Sequence, residues 1–396
     1  MERRIVLFDD ERRNHLLPLT FTRPVAEIRI GILTIAEKWQ IMANTQPYYL
    51  TEEYLQVKFS NAPFGSEVVL VNGGICPDAQ LAEAIRSLKT GEALVHDNII
   101  VAGALSQTIT RIPTINDFTT VKQYEPALLE VWFPWDIFRL NDEALQADYT
   151  LLTQGRKSNP ISSTNTVLGH ENVFIEEGAR VECSFLNAQS GPIYIGSDAE
   201  VMEGCMIRGP FALGEHSTLK MGAKIYGPTT IGPHCKVGGE VNNSVFFAFS
   251  NKAHDGFIGN SVIGEWCNLG ADTNNSNLKN NYAPVKLWRY TQKGFVNTGL
   301  QFCGLIMGDH SKCGINTMFN TGTVVGVCAN IFGDGFPRNF IPCFSWGGAA
   351  GFTIHKPDKA FETAQIMMSR RNLPFTEADK QILLKVFELT AQYRNF

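Results

Sequence analysis

The chain has 396 residues, 44% of them hydrophobic and 18% charged, with 35 glycines and a formal net charge of −5. That length suggests two or three domains, and a glycine-rich, charge-poor balance suits a β-rich repeat better than a helical bundle. The negative charge and the lack of a long basic run argue against nucleic acid as a partner. No stretch approaches the roughly 18 apolar residues of a membrane span, and the apolar run Ile5-Val6-Leu7-Phe8 is too short for a signal-peptide core, so the expected location is the cytoplasm. The nine cysteines are scattered without a Cys-x-x-Cys pair and read as reduced thiols, with Cys205, Cys235, Cys267 and Cys313 as small hydrophobes in a core.

In chain order, residues 5–8 read as a strand, Asp9-Asp10-Glu11-Arg12-Arg13 as a charged turn, and Leu17-Pro18-Leu19-Thr20 as an apolar element before Arg23-Pro24. Residues 28–39 have helix-like spacing, and residues 68–71 read as a buried strand. Asp78 is placed to cap a helix whose Leu81, Ile85 and Leu88 line one face. Alternating strand and helix predicts an α/β sheet domain over residues 1–155.

A different order then begins. Apolar residues recur every six positions at Ile195, Val201, Ile207, Leu213, Leu219, Ile225, Ile231 and Val237, and Gly196, Gly214, Gly232 and Gly238 follow four of them. Ile175 and Val181 stand as an earlier pair. Phe257, Ile263 and Leu269 keep the step, as do Met307, Cys313, Phe319, Val325 and Ile331. A period of six fits neither a helix nor a hairpin sheet. It fits a three-sided solenoid with the apolar residue turned inward and stacked on its equivalent one coil away. The following glycine stands near a corner, where a side chain would obstruct the turn. The run is interrupted at 243–256 and at 274–304, and the second interruption reads as a projecting loop or hairpin reaching toward a neighbouring subunit. His216, His234 and His310 fall at corners. From Pro357 the spacing is helical, and Thr376 is placed to cap the last helix. The domains are thus 1–155, 156–356 and a helical tail over 357–396.

These motifs resemble known families. The strand followed by Leu-Pro-Leu-Thr at 17–20 resembles sugar-phosphate nucleotidyltransferases, although Asp9 to Arg13 replace that family's Gly-rich loop. The six-step ladder resembles the hexapeptide-repeat acyltransferases, which implies a left-handed parallel β-helix and a homotrimer. The two together resemble a divergent, shortened relative of the bifunctional enzyme that acetylates glucosamine 1-phosphate and uridylylates the product. The local match is Lys252-Ala253-His254, then Phe257-Ile258-Gly259, then Asn268-Leu269-Gly270-Ala271.

The resemblance implies His254 as catalytic base. It places Phe257 where a substrate-binding Tyr would stand, Asn242 and Asn243 where a Lys pair would stand, and Asn268 among the substrate contacts. In the first domain, Arg12, Arg13 and Arg23 are candidates to grip phosphates, since a guanidinium binds them in a bidentate way. Asp10 and Asp136 are candidate Mg²⁺ ligands. The alternative reading of the turn is a solvated loop with internal salt bridges. The implied substrates are a sugar phosphate, a nucleotide and an acyl-coenzyme A such as acetyl-coenzyme A. Two alternatives stand beside this: a nucleotidyltransferase whose β-helix only trimerises it, and a binding or regulatory protein on a decayed enzyme.

Overall fold

The computed structural model describes residues 3–396. By packing, the chain forms two units. The first comprises the chain up to Leu16 with Thr22–Ile28 and Leu33–Phe133; the second comprises Leu17–Phe21, Arg29–Ile32 and Pro134–Phe396.

The first unit is a mixed α/β sheet. Its strands are β1 (Arg4–Phe8), β2 (Tyr48–Leu50), β3 (Val68–Asn72), β4 (Ile75–Cys76), β5 (Glu92–His96), β6 (Ile99–Leu105), β7 (Thr120–Gln123) and β8 (Leu129–Glu130). Six of them form the main sheet in the order β2-β1-β3-β6-β5-β7, while β4 and β8 pair apart. β1 runs parallel to β2 and β3, and β6 is antiparallel to β3. Its helices are α1 (Arg12–His15), α2 (Ile35–Ala43) and α3 (Ala79–Arg86). The Asp78 carboxylate accepts the Leu81 N–H, as its position predicted.

The helix expected over 28–39 starts only at Ile35. Thr34 and Glu37 form a capping box that begins it there. Upstream, buried Ile28, Ile30 and Ile32 alternate with a period of two, and Gly31 takes a φ of +72° that ends any helical reading.

The second unit opens with α4 (Pro134–Arg139) and α5 (Asn141–Thr153) and continues as a three-sided parallel β-solenoid of the left-handed β-helix class. Face one has nine strands, from Val173–Ile175 to Phe340–Ile341. Face two has ten, from Arg180–Val181 to Gly351–Ile354. Face three has six, from Thr166–Leu168 to Phe257–Gly259, and is extended by the pair Asn274–Asn275 and Met318–Phe319. All eight residues of the unbroken ladder are buried and lie in one core. Each such Ile, Leu or Val removed from water contributes about 1.5–3 kcal/mol. A Cβ on Gly232 would lie 1.6 Å from the Phe247 carbonyl oxygen of the next coil, which is the corner constraint the repeat predicts.

α5 packs against this solenoid. Asn141 donates to the Pro228 oxygen at 3.0 Å, and Thr230 donates to the Gly31 oxygen at 2.8 Å. The sequence boundary at residue 155 follows α5, whereas the packing boundary lies at Phe133/Pro134.

The interruption at 243–256 does not leave the solenoid. It supplies strands Val245–Phe246 and Asn251–Lys252 and differs only in its corners. The interruption at 274–304 is a hairpin of Lys286–Arg289 and Gly294–Asn297. Within its own unit, Trp288 stacks on Phe340 at 4.1 Å and Tyr290 meets Tyr393 edge-on at 5.2 Å, while Phe295 stays exposed. At the corner between faces one and two, His216, His234, Phe249, Trp266 and His310 stand in one column. Their rings are 4.9, 4.8, 4.3 and 6.2 Å apart in turn. The tail forms α6 (Pro357–Ser369) and α7 (Glu377–Leu389), and Thr376 caps α7.

Candidate functional site

In the first unit, the charged turn closes the end of β1. Arg12 is fully buried. Its guanidinium donates to the Asn72 side-chain oxygen Oδ1 at 2.6 Å, pairs with Asp10 at 3.4 Å and with Glu130, and lies 4.1 Å from the centre of the Trp132 ring. Burial holds its pKa below the usual arginine value. Arg13 donates to the Tyr54 hydroxyl at 2.6 Å and faces Asp9 and Glu52 at 3.8 and 3.6 Å. Arg23 is also buried. Arg12 and Arg13 pair with carboxylates of the turn and its neighbours, so the turn carries the internal salt bridges of the alternative reading, with its arginines buried and Glu11 exposed.

Asp9 accepts the Thr51 hydroxyl and the Val25 N–H, and burial pushes its carboxyl up to about 6. The open surface beside the turn holds a pocket of about 460 Å³, lined by Asp9, Asp10, Arg13, Thr51 and Glu52 among others.

The expected Mg²⁺ ligands do not fit an ion. One Asp10 oxygen accepts the Arg12 N–H at 2.9 Å and the other accepts Asn72 at 2.8 Å. Asp136 is buried and accepts Arg139 at 2.9 and 3.1 Å. Carboxylates already neutralised by arginine have little to offer a hard cation. Among the described residues, no group of three or more His, Cys, Asp or Glu is arranged to hold a metal.

On the solenoid, His254 and Asp255 are exposed at the corner between faces two and three, in the segment 253–256. Gly256 closes the corner with a φ of +112°, and a Cβ there would lie 2.2 Å from the Thr273 oxygen. Phe257 follows on the outer side of face three, and its ring covers Gly259, where a Cβ would lie 2.5 Å from the ring carbon Cζ. Asn242 pairs in register with Gly259 at the far end of the same face, and Asn243 turns the next corner with a φ of 44°. Asn268 is on face two, opposite Asn251. A single prism therefore brings His254 and Phe257 together but holds Asn242 and Asn243 at the opposite edge of face three. A second feature lies on that face, near the start of the solenoid. A groove of about 600 Å³ has Leu168, Phe185 and Met206 in its lining, each about half exposed, with Arg208 and Lys224 beside them.

Sequence reasoning quoted Lys252 in the match around His254 but gave it no role. It stands at an inward rung of face two, in register with Val237, and is 1% exposed. Its ammonium donates to the His254 carbonyl oxygen at 2.6 Å, and burial pushes its pKa down to about 8 against the pull of Asp255 and Asp272. It was hidden because shortened corners take it out of the six-residue step. Asn72, Glu130 and Trp132, the partners of Arg12, carry no pattern of their own.

The molecule thus consists of an α/β unit and a β-solenoid with an exposed histidine at one corner. Residues 5–157 match the family model described as sugar nucleotidyl transferase, in accord with the resemblance at the chain's opening, and the transferase assignment rests on that match. Among curated proteins, none matches the sequence. Solved structures that are similar include an Arabidopsis UDP-N-acetylglucosamine acyltransferase, at 16% identity over 54% of this chain and 80% of that one, with a TM-score of 0.25. AntD, an N-acyltransferase from Bacillus cereus solved as a point mutant with dTDP and coenzyme A, has 15% identity over 52% and 91%, with a TM-score of 0.23. A Campylobacter jejuni UDP-N-acetylglucosamine acyltransferase has 16% identity over 59% and 83%, also at 0.23. Scores this low say nothing about activity.

Proposed function

We propose that this protein is a sugar-nucleotide enzyme whose solenoid transfers an acyl group from acyl-coenzyme A to the amine of an amino-sugar phosphate, with His254 as base. The observation that carries the reading is an exposed imidazole on a corner whose peptide is tied to the core, beside the face-three ring of Phe257. In the reaction, the neutral imidazole takes a proton as the amine attacks the thioester carbonyl. The new C–N bond forms, the C–S bond breaks, and the histidine returns its proton to the departing thiolate. The apolar groove on face three supports a homotrimer, because a second copy would cover Leu168, Phe185 and Met206. No helix among the described residues is long and apolar enough to cross a membrane. The reading keeps the protein cytoplasmic.

The test is release of free thiol from acetyl-coenzyme A with glucosamine 1-phosphate as acceptor. Turnover is expected in the native protein, with a fall of about 10²–10⁴-fold in His254→Ala. Undiminished turnover in that variant would remove the base from this residue.

A second reading is favoured for the first unit by the inward pairing of Arg12 and Asp10: it holds a sugar nucleotide without forming one. Calorimetric binding of a UDP- or dTDP-sugar, with no pyrophosphate released from nucleoside triphosphate and sugar 1-phosphate, is the expected result. Pyrophosphate release would restore nucleotidyl transfer.

A further inference from the structure

Lys252 raises a physical question. The inward rungs around it on face two are Val201, Leu219, Val237, Leu269, Cys313 and Ile331, all apolar and buried. An ammonium in such a stack costs several kcal/mol of desolvation, which a Leu or Met would avoid. The corner it reaches is also unlike its neighbours. In the coil at 220–223, backbone N–H groups are used in turn: Lys220 to the Val237 oxygen, Gly222 to Glu203, and Ala223 to Lys220. The coil at 270–273 repeats this, with Gly270 to Cys313, Asp272 to Asp255 and Thr273 to Gly270. At 253–256 the ladder is opened, since Asn251 pairs with Asn268 but Lys252 pairs with nothing on that side. Among the described residues, the N–H groups of Ala253, His254, Asp255 and Gly256 have no hydrogen-bond partner.

The orientation follows from peptide geometry. The peptide joining His254 to Asp255 is not among the cis bonds, so its C=O and N–H point in opposite directions. The carbonyl turns inward, to an ammonium inside the prism at 2.6 Å. The N–H of Asp255 therefore points away from the ammonium, at a corner that exposes His254. A cation on the carbonyl also polarises the peptide and strengthens that N–H as a donor.

We propose that Lys252 is a positioning residue that fixes this peptide, and that the Asp255 N–H is the donor for the oxyanion formed when the amine attacks the thioester. The inference rests on the acyl-transfer reading of His254. Negative charge gathers on the thioester oxygen as the C–N bond forms, is met by the Asp255 N–H, and is released when the C–S bond breaks.

The experiment compares the native protein with Lys252→Met, Lys252→Gln and His254→Ala in the thiol-release assay. Met matches the volume and removes the donor; Gln keeps a neutral donor within reach of the carbonyl. The expected result is a kcat about 100-fold lower in Lys252→Met at unchanged KM, with Lys252→Gln recovering most of it. Lys252→Met at native kcat beside an inactive His254→Ala overturns the positioning. So does a joint loss of kcat and KM that Gln does not recover, which is what a purely structural lysine predicts. Full activity in His254→Ala overturns the base assignment instead. Hydrogen exchange over 253–257, read by mass spectrometry, judges the peptide without any turnover. It should differ between native protein and Lys252→Met by about threefold or more, and identical exchange overturns the positioning.

Discussion

Arg12 and Lys252 are both cations taken out of water, and they are held in opposite ways. Arg12 in the first unit has two carboxylates, an amide oxygen and an indole face around it. Its charge is neutralised locally, and what it does is tie the end of β1 to β3 and β8. Lys252 in the solenoid has one short neutral acceptor, the His254 oxygen, and its nearest carboxylates act only at a distance. A buried charge neutralised by two carboxylates is scaffolding. One with a single backbone partner on an exposed corner holds that backbone in a chosen orientation.

The difference can be broken most severely at Arg12. Arg12→Met leaves Asp10 and Glu130 facing each other without a cation, and should cost about 3–5 kcal/mol in urea unfolding followed by Trp132 fluorescence. A loss under 1 kcal/mol would mean the network is not what holds the turn.

Lys252 sharpens the comparison through pH. Burial lowers its folded pKa to about 8, while the unfolded chain keeps the proton to about 10.4. Between those values the unfolded state binds more protons, so stability rises with pH as the burial penalty is relieved. The gain is on the order of 3 kcal/mol. The slope between pH 8 and 10 should therefore be steeper in native protein than in Lys252→Met; equal slopes would show that the ammonium is hydrated. The smallest effect belongs to His254→Ala. An exposed corner residue whose side chain has no hydrogen-bond partner among the described residues should change stability by no more than about 0.5 kcal/mol, whatever it does to turnover.

The legible parts of this protein were those written into short spans of chain. The six-step ladder placed Ile195 through Val237 in the core, Asp78 and Thr376 announced their caps, and Cys205, Cys235, Cys267 and Cys313 are all buried. Where two short-range signals competed, the reading slipped. The alternation of Ile28, Ile30 and Ile32 passed for helical spacing until Thr34 and Glu37 showed where the helix begins.

The amino-acid order by itself determined the solenoid, because its rule is local: an apolar side chain inward every sixth residue and no Cβ where coils touch, as at Gly232. Only the tertiary structure decided which charges face in. Arg12 finds Asn72 and Glu130 across long stretches of chain. Lys252 becomes an inward rung only because two corners of its coil are shortened, at Gly238 and Gly239 and again between Asn242 and Val245, which shifts the register. Electrostatic partnership depends on distance in space. A repeat in sequence reports distance in space only while every corner keeps its length.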